Sequence, residues 1–327
     1  MRVRSYGRHG RIISVGAAAT AVLAGVLGAP GSTAASAHTP AHAAPESSGV
    51  AAPAKAVALG PQYSAVHVYV QPGQLEAFAK SWVGTFGGSY VKPFTTQLTP
   101  TPSSAPATQV FSPVALLSVF DFTTPVPYPF GQERTGWGVT DTAAATRQAQ
   151  AAGAGSLVAT LPDPIGHDSV IQFPGGIDTQ LWHETTLSPD PFPALTTVPD
   201  NRVYVPGDTL PAFLKSYLAF TKGRVVLDDP HADGAQIDKP GTTYHRIAIT
   251  SAYGNTVVIS TKDGYFNYPF GGEVSGIDVP DLTATLAKAR ANGATVLWGP
   301  YAGQGGHSAM VRFPGGFVTE IHDGTLR

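Results

Sequence analysis

The chain has no cysteine, two methionines, and only 13% charged residues among its 327. Without cysteine there is no disulfide framework, no thiolate zinc site and no cysteine nucleophile. A formal net charge of −2 supplies no general attraction to nucleic acid, so no nucleic-acid partner is expected. Low charge combined with 43% hydrophobic residues excludes a charge-rich disordered chain. The 37 glycines follow no three-residue period, which excludes collagen. After the N-terminal region no apolar run approaches membrane-spanning length. There is no G-x-S-x-G, H-E-x-x-H or P-loop pattern.

The N-terminal segment reads as an export address. Residues 1–11 carry Arg2, Arg4, Arg8 and Arg11 and no acid, residues 12–30 form an apolar run, and small residues follow to Ala35-Ser36-Ala37. A basic end, an apolar stretch and an A-x-A site are the layout of a secretory signal peptide. Cleavage after Ala37, with a second possible cut after Ala44, predicts a secreted or cell-envelope protein that meets the membrane only through this segment. The chain lacks an Arg-Arg pair, which favours general export over the twin-arginine route. Removing residues 1–37 leaves 16 basic against 22 acidic residues. Residues 38–60, rich in Ala, Pro, Ser and Gly, are expected to be a disordered tether. An exported chain without disulfides relies on packing, which suits a bacterial protein.

The rest repeats itself. VYVQPGQLEAFAKSW (68–82) parallels VYVPGDTLPAFLKSY (203–217), with 9 of 21 residues identical between 68–88 and 203–223. YPFGQERTGWGVTD (128–141) parallels YPFGGEVSGIDVPD (268–281), and over 128–183 an offset of 140 gives 21 identities in 56 positions. This is a duplication. The copies span residues 61–187 and 201–327, and the Pro-rich stretch 188–200 joins them. Within each copy the order strand, helix, several strands occurs twice. Ser64–Val70 alternates as a strand does. Gly73–Phe86 places Leu75, Phe78, Ala79, Trp82 and Val83 at helical spacing. Thr108–Phe122 reads as a strand pair, Thr135–Thr140 as a strand, and Thr142–Ala152 as a helix stopped by Gly153. Ser156–Ala159, Asp168–Phe173 and Ile177–Glu184 read as strands. Asp281–Ala291 repeats the helix, and 295–298, 308–313 and 317–322 repeat the strands. The fold class is α+β: four βαβββ units making two tandem domains with mixed sheets.

At this point the chain resembles the vicinal oxygen chelate superfamily, the glyoxalase/bleomycin-resistance/extradiol dioxygenase group. The resemblance is carried by SGIDVPDLTATLAKARANGATVLWGPYAGQGGHSAMVRFPGGFVTEIHD (275–323) and less closely by 136–184. It implies paired units curled around a cleft, usually holding a divalent metal that chelates neighbouring oxygens of a small substrate. His, Glu or Gln on the first and last strands of each unit supply the ligands. Other members of the group bind drugs there without metal.

Carried onto this sequence, the last-strand Glu position falls on Gln180 and Glu320, so Glu320 is the candidate catalytic residue and metal ligand. The metal-binding His position falls on Arg134 and Val274, neither of which can serve as a ligand. On the opening strands Ala65 holds the usual ligand position. His67 shares its face by period-2 alternation, and the second copy has Arg202 there. His322 shares a strand face with Glu320. His245, in YHRIAIT, sits on a further strand. His67, His245, Glu320 and His322 are therefore the candidate metal ligands, for one Zn, Fe, Mn or Ni ion if any is bound. His183 and Glu184 are adjacent and so point to opposite faces. His167 and His307 recur in both copies, which suggests a loop His hydrogen-bonding the backbone before a strand. Trp137, Trp182, Tyr128, Phe130, Tyr268 and Phe270 read as core and turn packing, or as the lining of a cleft for a flat ligand. Two functions follow, and the sequence leaves both open. One is an exported metal-dependent lyase or dioxygenase acting on a small oxygenated compound, with the second copy the active half. The other is a metal-free small-molecule binding protein of the bleomycin-resistance type.

Overall fold

The computed structural model describes residues 56–98, 101, 103–124, 131–163, 165–185, 195–197, 200–261, 272–303 and 306–324. Tyr128, Phe130, Tyr268, Phe270, the export segment and most of the predicted tether and join lie outside them. The four units run in order. The first holds β1 (Ser64–Val70), α1 (Leu75–Phe86), β2 (Ser89–Tyr90), β3 (Phe94–Gln97), β4 (Ser104–Phe111) and β5 (Leu116–Asp121). The second holds β6 (Thr135–Gly138), α2 (Thr142–Ala151), β7 (Gly155–Pro162), β8 (Gly166–Phe173) and β9 (Ile177–Glu184). The third holds β10 (Asp200–Tyr204), α3 (Leu210–Thr221), β11 (Arg224–Asp233), β12 (Thr243–Ser251) and β13 (Gly254–Ser260). The fourth holds β14 (Glu273–Asp278), α4 (Leu282–Ala291), β15 (Thr295–Gly303), β16 (Gly306–Arg312) and β17 (Val318–Gly324).

Each copy makes one sheet. Their orders are β2-β4-β5-β1-β6-β9-β8-β7, with β3 also on β4, and β11-β12-β13-β10-β14-β17-β16-β15. Within each unit the first strand lies parallel to the last, and the two first strands of a copy pair antiparallel. The opening and closing strands of all four units therefore sit at sheet centres, where their side chains can meet. The expected strands and helices are found, with β4, β7, β8, β15, β16 and β17 running longer than read and β6 shorter. Where the second copy has the single long edge strand β11, the first has two short strands on β4.

Strand alternation sorts the side chains. Val66, Val68 and Val70 face the helices, and Ala65, His67 and Tyr69 face the other way. Helix α1 buries Leu75, Phe78, Ala79 and Trp82, the stripe its spacing predicts. Asp141 and Asp281 cap α2 and α4, each accepting a 2.8 Å hydrogen bond from the backbone N–H of Ala144 or Ala284. Gly153 and Gly293 follow these helices with φ of 97° and 86°, a left-handed turn that a side chain would strain.

The core is not divided copy by copy. One cluster joins Phe78, Trp82 and Leu117 of the first unit to Ile277, Leu286, Phe313 and Ile321 of the fourth. A second joins Trp137, Phe173 and Leu181 of the second unit to Val203, Phe213, Tyr217 and Ile247 of the third, and two smaller clusters lie within single copies. The end of the predicted tether is built into the second cluster. Val57 is buried there, and its carbonyl accepts from the Thr140 N–H at 2.8 Å. Asp200, read as the last residue of the join, opens β10.

Candidate functional site

The sheet faces turned away from the helices form two inner surfaces, here the first and second cups. Equivalent positions pair Ala65 with Asp200, His67 with Arg202, Gly136 with Gly276, Gln180 with Glu320, and Trp182 with His322. In both copies the glycine makes room for the side chain on the opening strand. A Cβ at Gly136 would lie 3.2 Å from His67 Nε2 and 2.9 Å from Gln180 Oε1. One at Gly276 would lie 2.5 Å from Arg202 Nη1 and 2.1 Å from the Asp200 carbonyl oxygen.

In the second cup Arg202 is at the centre. Its Nη1 lies 3.1 Å from Asp200 Oδ1 and donates to the Asp200 carbonyl at 2.6 Å. Its Nη2 lies 3.1 Å from Glu320 Oε2 and 3.2 Å from His322 Nδ1. His322 Nδ1 is 2.8 Å from Glu320 Oε2, so as an N–H it donates to that carboxylate. His322 Nε2 lies 3.9 Å from Asp200 Oδ2. All four residues are buried. Burial opposes ionisation of Glu320, but Arg202, His322 and Arg246 outweigh it and hold the carboxyl below its usual range. Burial likewise disfavours the Arg202 cation, but Asp200 and Glu320 reverse this and raise its pKa.

The four candidate ligands do not meet. Glu320 and His322 share the second cup. His67 stands in the first cup on the other sheet. His245 lies on the helix-side face of β12, alternating with the inward Tyr244 and Arg246, and its Nε2 is 2.6 Å from Asp228 Oδ1. Among the described residues no group of three His, Asp or Glu is arranged to hold a metal ion. His307 bonds a carboxylate, Asp323 Oδ1, at 3.0 Å, where backbone bonding was expected. It lines an open hollow of about 630 Å³ with Pro280, Gly303 and Asp323, beside the β15–β16 turn. His183 Nδ1 is 2.9 Å from the Val139 carbonyl oxygen.

The first cup is built differently. The Tyr69 hydroxyl donates to Glu133 Oε1, and His67 Nδ1 lies 3.6 Å from the same oxygen. Burial, and then Glu133, push the Tyr69 phenol well above its ordinary range. Phe120 stacks on Tyr69 at 5.7 Å and meets His67 edge-on at 6.3 Å, and Arg134 sits 5.7 Å over the Tyr69 ring. His67 Nδ1 and Glu133 Oε2 are buried without a hydrogen-bond partner. Tyr69, Gln109, Phe120, Arg134 and Gln180 are half-buried, whereas their counterparts Tyr204, Ala248, Ile259, Val274 and Glu320 are buried. The first cup is thus the more open one.

Sequence reasoning passed over Asp200, Arg246, Glu133 and Tyr69. Glu133 carried a signal: its counterpart Glu273 is also Glu and also buried.

Two mixed curled sheets from four βαβββ units give the α+β tandem arrangement read from the sequence. No family model matches the sequence, and no curated protein matches it. Among solved structures the chain is similar to a triple mutant of 4-hydroxymandelate synthase from Streptomyces coelicolor. The TM-score is 0.56 at 15% identity, over 83% of this chain and 94% of that one. It is also similar to a halotolerant catechol dioxygenase, with TM-score 0.46 and 12% identity over 79% and 86% of the two chains. A third likeness is to a xylose isomerase-like TIM barrel/4-hydroxyphenylpyruvate dioxygenase fusion protein, with TM-score 0.42 and 14% identity over 82% of this chain and 50% of that one. The first likeness supports the fold; at such identity it says nothing of the reaction.

The resemblance seen in the sequence implies a divalent metal in a cup, and the second cup as it stands does not fit one. Its two carboxylates and its imidazole are turned onto a guanidinium, and a second cation beside Arg202 would be repelled. In the first cup His67 and Glu133 are joined by Gln180 and the cation of Arg134, a poor donor set for a metal.

Proposed function

We propose that this is an exported protein that binds a small oxygenated organic molecule without a metal, and that the first cup is its binding site. The observation that carries this is the half-open cup of Tyr69, Phe120 and Gln180 around two buried polar atoms, His67 Nδ1 and Glu133 Oε2, that lack a hydrogen-bond partner. Buried polar atoms of this kind are completed by water or by a ligand's own hydrogen-bonding groups. Aromatic walls with a few convergent polar groups suit a flat ligand bearing hydroxyl or carbonyl oxygen.

The test titrates small phenols and hydroxy acids against the mature protein and follows tryptophan fluorescence, since Trp182 lies on the inner-face side of β9. Saturable quenching that His67→Ala removes and Glu320→Gln leaves unchanged is the expected outcome. Quenching lost in Glu320→Gln and kept in His67→Ala would move the site to the second cup. Export is tested by sequencing the N-terminus of secreted protein, expected to begin after Ala37 or Ala44.

The metal-dependent lyase or dioxygenase reading draws on the likeness to 4-hydroxymandelate synthase. One equivalent of Zn, Fe, Mn or Ni per chain after chelator-free purification, lost in Glu320→Ala, would establish it over the binding reading.

A further inference from the structure

We infer that Arg202 is a built-in counter-cation. It occupies the place a divalent ion would take among Asp200, Glu320 and His322, so the second cup is closed to metal as it stands and becomes a metal site once the guanidinium is removed. The inference concerns the second cup alone, but it rests on the metal-free reading above.

Three observations carry it. First, both carboxylates are ion-paired with the same cation: Asp200 and Glu320 each lie 3.1 Å from an Arg202 nitrogen, and His322, whose Nδ1–H donates to Glu320, lies against it at 3.2 Å. Two carboxylates and an imidazole are the donor types that Zn, Fe and Mn accept. A guanidinium spreads its contacts over a plane at about 3 Å, where a metal draws donors to about 2 Å. That difference explains why these residues surround a point without being arranged as a ligand set while Arg202 is present. Second, the fold makes room for the cation. Gly276 stands so close that a Cβ there would meet Arg202 Nη1 at 2.5 Å and Cζ at 2.8 Å. Third, the first copy supplies the comparison. There His67 takes the position of Arg202, and Ala65 and Gln180 replace both carboxylates. The two negative charges therefore occur in the copy that carries the internal cation. The buried pair must be neutralised from somewhere, because an uncompensated buried carboxylate is strongly destabilising. Take away Arg202 and Arg246 is left as a weaker counter-charge to Asp200 and Glu320, so an external divalent ion or protons must supply the rest.

The experiment compares the wild-type mature protein with Arg202→Ala and Arg202→His, the latter restoring what the first copy has there. Each is titrated with Co2+ and Zn2+ by calorimetry, by the visible absorption of Co2+, and by the shift in melting temperature. The variants are expected to be less stable than wild type, to take up one equivalent of metal roughly a hundredfold more tightly than wild type does, and to regain melting temperature on binding it. Variants that fold only when metal is present would support the inference equally. Folded variants that bind no better than wild type overturn the inference and leave the metal-free reading intact. Stoichiometric metal in the wild-type protein, lost in Glu320→Ala, overturns both. If neither variant folds with or without metal, Glu320→Gln in the wild-type background decides. Loss of one carboxylate leaves Arg202 half-paired, so marked destabilisation supports the internal pairing and an unchanged melting temperature overturns it.

Discussion

At the scale of single residues the two copies show how little has to change for one position to alter its chemistry. His67 and Arg202 stand at equivalent places over equivalent glycines, yet the first lies 3.6 Å from a single carboxylate and the second draws two carboxylates to 3.1 Å. The first cup also carries a proton-linked residue. Asp168, on β8, is pushed up to about 8 by burial and then by Asp163. Unfolded, it would titrate near 3.9. Between those values the folded protein holds the extra proton, so Asp168 makes stability fall as pH rises from about 4 to about 8 and adds nothing further above that. Asp168→Asn removes this slope. Melting curves from pH 5 to 8 should show wild type losing more stability than the variant, and parallel curves would refute the assignment.

At the scale of elements, the helices that follow β6 and β14 are delimited by the same devices in both copies. Asp141 and Asp281 accept from the N–H three residues on, and Gly153 and Gly293 turn the chain out with positive φ. Replacing either aspartate by Ala should cost about 1 kcal/mol, read from the urea midpoint at unchanged slope. Helix α1 is the heavier element. Trp82 is fully buried, with Phe313 at 5.1 Å from the opposite copy. Trp82→Ala should cost about 3–5 kcal/mol in the same assay. These elements were legible because their causes are local: helical spacing of Leu75, Phe78 and Trp82, alternation in 64–70, and glycine after each helix. β2 and β3 were not legible, because they are short edge strands whose pairing with β4 is decided by a distant partner.

At the scale of the whole molecule, the described residues from 56 to 324 form one compact unit. The first unit packs on the fourth and the second on the third, so each copy's helices are covered by the other copy. Residues 61–187 expressed alone would expose Phe78, Trp82, Trp137 and Phe173 to water, as would 201–327 for Phe213, Tyr217 and Phe313. Each half alone should lack a cooperative melt, and the two mixed should recover one. Independent cooperative folding of either half by circular dichroism would show two autonomous domains.

The sequence by itself determined the duplication, the four βαβββ units, and the inward face of His67, Glu320 and His322. Period-2 and period-3.6 patterns and repeat identity are properties of neighbouring residues and of the two copies compared. Only the tertiary structure decided which of those side chains meet. His245 was one residue out of register for the second cup, and Arg246 faces it instead. His67 belongs to a different sheet from Glu320. Arg202, noted in the sequence only as the second copy's counterpart of His67, proved to be the group that the acids and the imidazole surround. Convergence across strands depends on pairing register and on how each sheet curls, and both follow from packing between residues far apart in the chain.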